Sequence, residues 1–320
     1  MNIPPFTITS KINNLVANIS EQIGILQGKG IYQTNLHLRK ANRIRTIKGT
    51  TAIEGNSLTH EQITDIVSGK VIAGNPAEIK EVKNAYEAYE NIDKFKPYET
   101  KDLLKAHGIL TNSLIENSGR YRDDTVGVFN GKDVIHLGSP YYLVPELVND
   151  LLEWAKTTDV HPLIKSSVVH YELEFIHPFQ DGNGRVGRFW QTVILSKWYD
   201  IFSWIPVETM IYENHQKYYE VLAKSDAEGN STLFIEFMLE VIAQTLENLP
   251  QNKITDIITD IITDKLSKED ILFLEAVLPY LQKNSEINNY KAQFLTNKSS
   301  EAIKKYFQKF VEYGILIAER

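Results

Sequence analysis

A stretch of twelve residues, from His177 to Arg188, combines side chains that could do chemistry together. It contains a histidine, a carboxylate, an amide flanked by two glycines, and two arginines, in the order His-Pro-Phe-Gln-Asp-Gly-Asn-Gly-Arg-Val-Gly-Arg. The segments on both sides have the apolar spacing of helices, so we expect a loop between two helices. Few purely structural loops would need all of these residue types at once.

The glycines and arginines of this loop predict an anion site. Gly182 and Gly184 can adopt positive φ and let a ligand approach the main chain closely. A helix that begins near Arg185 points its free N–H groups at the loop, and its dipole favours phosphate. Arg185 and Arg188 are three residues apart, so both can reach phosphate oxygens from one helical face. Two arginines at a helix N-terminus, where positive charge is unfavourable, indicate a bound polyphosphate.

Asp181 and His177 add a metal ligand and a base. One carboxylate beside phosphate oxygens is the usual way in which Mg²⁺ is held, so Asp181 is the predicted ligand. His177 can be neutral near pH 7 and accept a proton from an attacking hydroxyl. An alternative is a zinc site on one helical face, formed by His170, Glu174 and His177. Zinc leaves the glycines and arginines unexplained, and His170 could equally be a hydrogen-bonded core histidine.

The apolar spacing elsewhere predicts a series of helices with a single hairpin. The hairpin is expected over 126–135, because Asn130-Gly131 lies between β-branched and aromatic residues. Near the C-terminus, three short helices and a strand over 314–317 predict a small winged helix-turn-helix. The predicted helices cover 12–26, 35–54, 76–92, 100–114, 144–154, 162–176, 185–199, 212–224, 233–249, a connecting segment from 254 to 262, 271–281, 290–295 and 301–313.

Glu54 breaks a local rule of helix structure. It lies in the last turn of the helix predicted over 35–54, where Gly55 can provide a left-handed C-cap and Thr59 can open a capping box for the next helix. A carboxylate in a last turn is close to the negative end of the helix dipole. A local rule broken at one residue is a hint of function.

Composition excludes several function classes. The chain has 34 Lys and Arg against 41 Asp and Glu, a formal net charge of −7, which argues against a general nucleic-acid or membrane-binding surface. It has no cysteine, so thiol catalysis, disulfides and cysteine-ligated metals are excluded. Because no secretory signal and no apolar run of about eighteen residues is found, we expect a cytoplasmic protein.

His177 to Arg188 resembles the signature of the Fic family, His-Pro-Phe-x-Asp-Gly-Asn-Gly-Arg-x-x-Arg, with every specified letter present. The resemblance covers about 50–230 and implies an all-α fold that transfers AMP from ATP onto a hydroxyl side chain of a target protein, with Mg²⁺. It implies that His177 is the base, Asp181 the Mg²⁺ ligand and Asn183 an α-phosphate contact. The other implied nucleotide-binding positions are Gly182, Gly184, Arg185, Val186, Gly187 and Arg188.

Two further segments resemble parts of that family. The hairpin is similar to the family's flap, which implies that a target segment docks at about 125–137 and that Ile135, His136 and Leu137 face the nucleotide. Tyr218 and Tyr219, with Asp226, resemble an adenine-side wall; that both tyrosines are core residues is an equally good interpretation.

The run from Thr50 to Gly55 resembles the family's inhibitory motif, (Ser/Thr)-x-x-x-Glu-(Gly/Asn), which implies that Glu54 pairs with Arg188 and displaces the γ-phosphate of ATP. These resemblances predict three regions. They are an N-terminal helical region at 1–97 with the inhibitory helix at about 42–55, a Fic catalytic domain at 98–250, and a connecting helix with a winged-helix-like domain at 251–320.

Other functions remain open. Removal of AMP from a modified target is one alternative, and phosphate transfer, as in the related Doc toxins, is argued against by the intact Gly-Asn-Gly-Arg. A third is regulation through DNA or partner binding by 266–320, which holds eight Lys or Arg against seven Asp or Glu. That net charge of +1 is small for a DNA-binding domain, so partner docking or a homodimer interface is the favoured use.

Overall fold

The computed structural model describes residues 3–29, 36–130, 133–249, 266–284, 286–312 and 316. The chain divides into two compact units, Met1–Thr34 with Asn42–Glu247 and Asn35–Ala41 with Asn248–Arg320. The described residues are mainly helical, which confirms the all-α class. None of the described helices combines the length and apolar character that crossing a membrane requires.

The described elements up to residue 247 alternate α-helices with one hairpin and three short 3-10 helices. In chain order they are α1 (Ser10–Lys29), α2 (Leu36–Ile53), α3 (His60–Val67), α4 (Pro76–Glu90), a 3-10 helix (Ile92–Lys94), α5 (Thr100–Leu110), β1 (Gly127–Asn130), β2 (Asp133–Leu137), a 3-10 helix (Tyr141–Leu143), α6 (Val144–Thr157), α7 (Pro162–Ile176), α8 (Asn183–Trp198), a 3-10 helix (Asp200–Ser203), α9 (Val207–Glu213), α10 (His215–Glu228) and α11 (Thr232–Glu247).

Two predicted helices differ from the structure for local reasons. The helix predicted over 100–114 ends at Leu110, with Thr111 as its C-cap and the Thr111 hydroxyl donating to the His107 carbonyl oxygen at 2.7 Å. The helix predicted over 212–224 is two helices, since α9 ends at Glu213 and α10 begins at His215.

The core of the first unit is built around α7 and α8, which pack along each other. Phe189 and Trp190 of α8 are fully buried. The ring of Phe189 meets the rings of Tyr89 and Phe95 edge-on, with centroids 5.0 and 5.4 Å apart. Burial of each such ring contributes about 1.5–3 kcal/mol, so the helix that begins at the glycine-rich loop is held rigidly.

The C-terminal end of α2 is held by two contacts. An apolar cluster joins α2, α3 and α4, with Ile47 and Val82 fully buried in it. In the interior of α2, a Cβ on Gly49 would lie 2.6 Å from the Glu208 carbonyl carbon and 2.7 Å from the Thr209 nitrogen of α9. Only glycine permits so close an approach, and it fixes the position of the turn that contains Glu54.

The hairpin pairs β1 and β2 antiparallel, with Gly127 opposite Leu137 and Asn130 opposite Asp133. A bulge lies between Val128 and Phe129. The Gly138 N–H donates to the Val126 carbonyl oxygen at 3.0 Å and closes the base of the hairpin. The predicted hairpin is therefore present, ending two residues beyond the expected segment.

The second unit contains α12 (Lys268–Asn284), α13 (Asn289–Thr296) and α14 (Ser300–Glu312). Phe273, Val277, Ile303 and Phe310 form its buried core. The predicted connecting helix over 254–262 lies outside the described residues, as does the strand expected over 314–317, apart from residue 316.

Candidate active site

The loop from His177 to Gly182 has a left-handed residue at each end. His177 is the C-cap of α7 with φ 53°, and Gly182 is the N-cap of α8 with φ 86°. Glycine adopts this conformation freely, whereas a histidine there costs about 1–2 kcal/mol. Strain that is retained at one non-glycine residue is typical of functional sites. At Gly182 a Cβ would also lie 2.7 Å from Thr111 Cγ2.

The ring of His177 is oriented by its own helix. Its Nδ1 lies 3.2 Å from the Glu174 carbonyl oxygen. A carbonyl oxygen only accepts hydrogen bonds, so in the neutral imidazole this contact places the proton on Nδ1. The basic nitrogen is then Nε2, which suits a residue that receives a proton.

Arg122 holds the backbone around His177, a role that the sequence did not indicate. Its Nε donates to the His177 carbonyl oxygen at 2.6 Å and its Nη1 to the Asp124 carbonyl oxygen at 2.8 Å. Its Nη2 donates to the carbonyl oxygens of Ser139 and Ile176. The buried guanidinium therefore joins the end of α7 to both sides of the hairpin base.

The interior of the loop is closed by Asn183 rather than by a ligand. Its Oδ1 accepts from the Phe179 N–H and its Nδ2 donates to the Phe179 carbonyl oxygen, both at 2.9 Å. These bonds use Oδ1 and one of the two Nδ2 hydrogens, so the second Nδ2 hydrogen and the backbone N–H are the donors that could meet a phosphate at this position.

His107 of α5 packs against the loop and contacts its backbone, a role that the sequence did not indicate. Its ring stacks on Phe179 with centroids 3.8 Å apart. Nδ1 accepts from the Gly119 N–H at 2.9 Å, so the proton is on Nε2, which is 3.0 Å from the Asp181 carbonyl oxygen. Burial lowers the pKa of His107 to about 4 and keeps the ring neutral. Nothing in the sequence around 107 distinguishes this histidine from an ordinary core residue.

Arg185 lies between two carboxylates. Its Nη1 is 3.1 Å from Glu81 Oε1 and its Nη2 is 3.1 Å from Asp181 Oδ1. Glu81, on α4, was not predicted as a site residue. Burial raises the pKa of Glu81, and a hydrogen bond from Asn56 opposes that effect.

Arg188 is bound by the segment that resembles the inhibitory motif. Its Nη2 donates to Glu54 Oε1 at 2.5 Å and to the Thr50 carbonyl oxygen at 3.3 Å, and its Nε donates to Thr50 Oγ1 at 3.2 Å. Burial alone would lower the pKa of Arg188, but the Glu54 carboxylate raises it above its ordinary value. A Cβ on Gly184 would lie 2.9 Å from both Arg188 Nη1 and Glu54 Oε1, so the ion pair crosses the first turn of α8.

Val186 and Gly187 lie in the packing between helices, although both were expected to bind nucleotide. Val186 is buried. A Cβ on Gly187 would lie 2.7 Å from Glu174 Oε1 and 2.8 Å from His170 Cδ2, so this glycine lets α8 approach α7. His170 is a fully buried core histidine, with Nδ1 2.7 Å from Gln191 Oε1. This arrangement disfavours the alternative zinc site.

The predicted adenine-side residues are not all equally accessible. Tyr218 is buried, and its hydroxyl lies 3.1 Å from His170 Nε2. Tyr219 is half exposed. Asp226 accepts a hydrogen bond from the Tyr171 hydroxyl at 3.0 Å. Leu137, at the end of β2, is exposed, while the side chains of residues 135 and 136 lie outside the described part of the chain.

Asp181 is a suitable ligand for Mg²⁺. Its side chain is 58% exposed beside the N-terminus of α8. No cluster of three or more His, Asp or Glu residues that could hold a metal occurs in the described residues. Mg²⁺ at phosphate sites commonly uses one or two carboxylates with phosphate oxygens and water, so one exposed carboxylate fits this ion.

The fold and the loop define a class of protein: a helical domain in which a glycine-rich loop leads into a helix N-terminus, with a hairpin whose base Arg122 joins to that loop. The Fic/DOC family model matches residues 97–195. The crystal structure of a Fic family protein from Desulfovibrio desulfuricans G20 is 37% identical, with a TM-score of 0.75 over 98% of this chain and 92% of that chain. This chain belongs to the Fic family.

Curated relatives match over a shorter part. The protein adenylyltransferase Fic of Nematostella vectensis is 28% identical over 209 residues, which are 62% of this chain and 46% of that protein. The protein of the same name from Drosophila willistoni is 26% identical over 227 residues, 68% and 44% of the two chains. The chain therefore spans less than half the length of these relatives.

Proposed function

We propose that the chain is a protein adenylyltransferase, which transfers AMP from ATP to a hydroxyl side chain of a target protein and rests in an inhibited state. The names of the curated relatives support the reaction. The observation that carries the inhibited state is the 2.5 Å contact between Glu54 and Arg188, across the first turn of α8. In this proposal 98–250 is the catalytic region, and 1–97 contributes the inhibitory helix.

The loop residues divide the work of the transfer. The backbone N–H groups at the start of α8, from Asn183 to Arg185, bind phosphate oxygens with the help of the helix dipole. Arg185 and Arg188 hold the β- and γ-phosphates. His177 Nε2 accepts the proton of the target hydroxyl. The hydroxyl oxygen bonds to the α-phosphorus, the bond to the β-phosphate oxygen breaks, and pyrophosphate leaves.

Asp181 is the residue that would hold Mg²⁺. When bound, the ion neutralises phosphate charge as the leaving group departs. Asp181 is paired with Arg185 in the resting state. The Asp181 side chain is 58% exposed, and solvent screens its pairing with Arg185, so exchanging this pair for the ion costs little.

Inhibition follows from competition for one guanidinium. Glu54 and a γ-phosphate are both anions, and both require Arg188. With Glu54 on Arg188, ATP can bind only with its γ-phosphate displaced, in a pose that does not present the α-phosphorus to a hydroxyl. Thr50 strengthens the resting state through two further contacts with the same arginine.

The hairpin is the docking place for the target segment in this proposal. In the part of the chain that the structure describes, β1 and β2 form a two-stranded sheet with no further strand beside it. An extended segment of a target could therefore add along its edge through main-chain hydrogen bonds. Arg122 donates to the carbonyl oxygen of His177 and so joins the foot of the hairpin to this histidine. A target segment on the hairpin edge would therefore lie close to His177, the proposed proton acceptor.

The test uses α-labelled ATP with Mg²⁺ and follows labelling of the chain itself or of proteins in a lysate. We expect Glu54→Gly to increase labelling about 10- to 100-fold, because removing the carboxylate that competes for Arg188 removes about 1.4–2.8 kcal/mol of competition with the γ-phosphate. Adding His177→Ala should abolish it. Mass spectrometry of the labelled proteins then identifies the nucleotide and the accepting residue.

Two results would contradict the proposal. Labelling by the Glu54→Gly, His177→Ala double variant at the level of its parent would remove His177 as the base. Release of AMP from a pre-modified target by the unmodified chain, lost in Glu54→Gly, would favour the reverse reaction instead.

A further inference from the structure

Glu81 and Asn56 form a second connection between the N-terminal region and the candidate active site. Arg185 is 8% exposed, and its two carboxylate partners differ: Glu81 is 13% exposed, whereas Asp181 is 58% exposed. One partner is therefore part of the protein interior and the other is in solvent. A carboxylate that is screened by solvent contributes little to such a pair, whereas breaking a buried pair leaves an uncompensated charge in the interior.

The Glu81 carboxylate is held on both sides. Oε1 accepts from Arg185 Nη1 at 3.1 Å, and Oε2 accepts from Asn56 Nδ2 at 2.9 Å. The Glu81 side chain therefore has one orientation, which fixes the plane of the Arg185 guanidinium.

Asn56 is itself fully engaged. Its Nδ2 also donates to the Glu78 carbonyl oxygen at 3.1 Å, and its Oδ1 accepts from the Leu58 N–H at 3.1 Å. Its own N–H donates to the Thr51 carbonyl oxygen at 3.1 Å. The residue is buried and ties the end of α2 to α4.

We propose that Glu81, held by Asn56, is a positioning residue that aims the Arg185 guanidinium at the phosphates of ATP. This inference rests on the proposed function, because it assumes that a polyphosphate occupies the loop. Glu81 remains on Nη1 when nucleotide and cation arrive, while Asp181 leaves Nη2. Within the described part of the chain, the enclosed Arg185 Nε has no hydrogen-bond acceptor, so Nη1 and Nη2 are the groups through which the carboxylates hold this side chain.

The opposite role, a carboxylate that competes with phosphate as Glu54 does, fits less well. Glu54 contacts Arg188 Nη2 through one carboxylate oxygen, in the place that a phosphate oxygen can take. Glu81 contacts one of the terminal nitrogens of Arg185 and is retained by a second, neutral partner in Asn56. The two roles predict opposite changes in ATP affinity.

The experiment uses calorimetry to measure the Kd for Mg·ATP. Each variant is made in a chain that also carries Glu54→Gly and His177→Ala, so that no turnover occurs. Glu81→Gln should raise the Kd about 5- to 20-fold, and Asn56→Ala should raise it less. In the Glu54→Gly chain with His177 intact, Glu81→Gln should raise the KM for ATP by a similar factor and change kcat less than threefold.

Glu78→Gln is the matched control. Glu78 is on the same helix as Glu81 and its carboxylate binds the same turn, accepting from the Ser57 N–H at 2.9 Å and from the Ser57 hydroxyl at 3.1 Å. Among the described residues, no hydrogen bond or ion pair joins the Glu78 carboxylate to Arg185. We expect the Kd of Glu78→Gln for Mg·ATP to equal that of the parent chain. An increase in this Kd as large as that of Glu81→Gln would overturn the proposal.

Other outcomes are equally decisive. Tighter ATP binding by Glu81→Gln would identify Glu81 as a competitor and overturn the positioning role. If Glu54→Gly transfers no AMP but Glu81→Gln still weakens ATP binding, only the proposed reaction fails. A parent chain that binds no Mg·ATP would overturn both. Thermal unfolding is compared for every variant, and Glu81→Asp, which keeps the charge, replaces Glu81→Gln if the latter does not fold.

Discussion

Arg122 is an uncommon case of a buried cation that is held mainly by carbonyl oxygens. Its contacts with the oxygens of His177, Asp124, Ser139 and Ile176 satisfy the guanidinium in several directions. Lysine has one compact ammonium group and cannot reach such widely separated oxygens. The residue therefore depends on its shape as well as on its charge.

We expect Arg122→Lys in the Glu54→Gly chain to reduce kcat for AMP transfer about 10- to 100-fold and to leave the KM for ATP within about threefold. The reason is that the substitution releases the backbone of His177 and the hairpin base, while Arg185 and Arg188 are untouched. Steady-state kinetics with labelled ATP measures both values. An increase in KM alone, with kcat unchanged, would show that Arg122 does not position the base.

At the scale of single residues, the sequence reveals the loop but not its supports. The glycines, the arginines and the histidine could be interpreted because their types are unusual together and adjacent in the chain. Glu81, His107 and Arg122 are brought to the loop from distant helices and turns. A lone carboxylate on a helix has no local feature that distinguishes it, so only the fold identifies such partners.

At the scale of elements, the boundaries that local chemistry determines were predicted well. Gly55 has φ 88°, and Thr59 forms the expected capping box with Gln62. The beginning of α10 was misplaced, because the apolar spacing continues across Asn214 although the helix does not. Gly49 could not have been interpreted from the sequence, since its meaning comes from the backbone of α9 packed against it.

We expect Gly49→Ala to increase AMP transfer in the otherwise unchanged chain, by a smaller factor than Glu54→Gly. The added methyl group displaces α2 from the backbone of Glu208 and loosens the pair between Glu54 and Arg188. The increase is smaller because Asn56 moves as well and weakens ATP binding. Labelling with α-labelled ATP measures the effect.

Gly24→Ala on α1 is the control for Gly49→Ala. Nothing lies within 4 Å of a Cβ at that position. It should leave labelling unchanged and add up to about 1 kcal/mol of stability through helix propensity. If Gly49→Ala lowers stability without raising labelling, the crossing of α2 and α9 does not set the position of Glu54.

At the scale of the whole molecule, one carboxylate opposes folding at neutral pH. Burial, and next the negative charge of Asp226, raise the pKa of Glu172 to about 7. The folded state binds this proton more tightly than the unfolded state, whose pKa is about 4.3. Stability from this group is therefore complete below about pH 4 and is lost as the pH rises through about 7.

We expect Glu172→Gln to stabilise the chain by about 1–2 kcal/mol at pH 8, which corresponds to about 2–4 °C per kcal/mol in the unfolding midpoint. The gain should shrink towards zero at pH 4. Glu153→Gln, at an exposed position on α6, should change the midpoint little at either pH. A gain that is equal at both pH values would contradict the assignment to Glu172 ionisation.

The second unit shows what pattern reading can and cannot provide at this scale. Its three helices and its apolar core follow from the spacing of residues such as Phe273 and Ile303. The function of the second unit does not follow from the sequence, because a net charge of +1 and a common helical topology are compatible with several partners. Binding of DNA, of a protein partner or of a second copy of the chain stays a prediction.

The turn from Glu54 to Asn56 has a consequence for how tightly the activity can be controlled. In the proposed mechanism Glu54 leaves Arg188 for transfer, whereas Asn56 stays so that Glu81 keeps Arg185 in place, and the change between the resting and active forms centres on the Glu54 side chain. The Glu54 side chain is 27% exposed, and the effect of about 10- to 100-fold expected of this pair corresponds to about 1.4–2.8 kcal/mol between the two forms. The resting form in this proposal therefore keeps a few per cent of the full rate of AMP transfer. That residual rate is enough for slow modification without any activating signal.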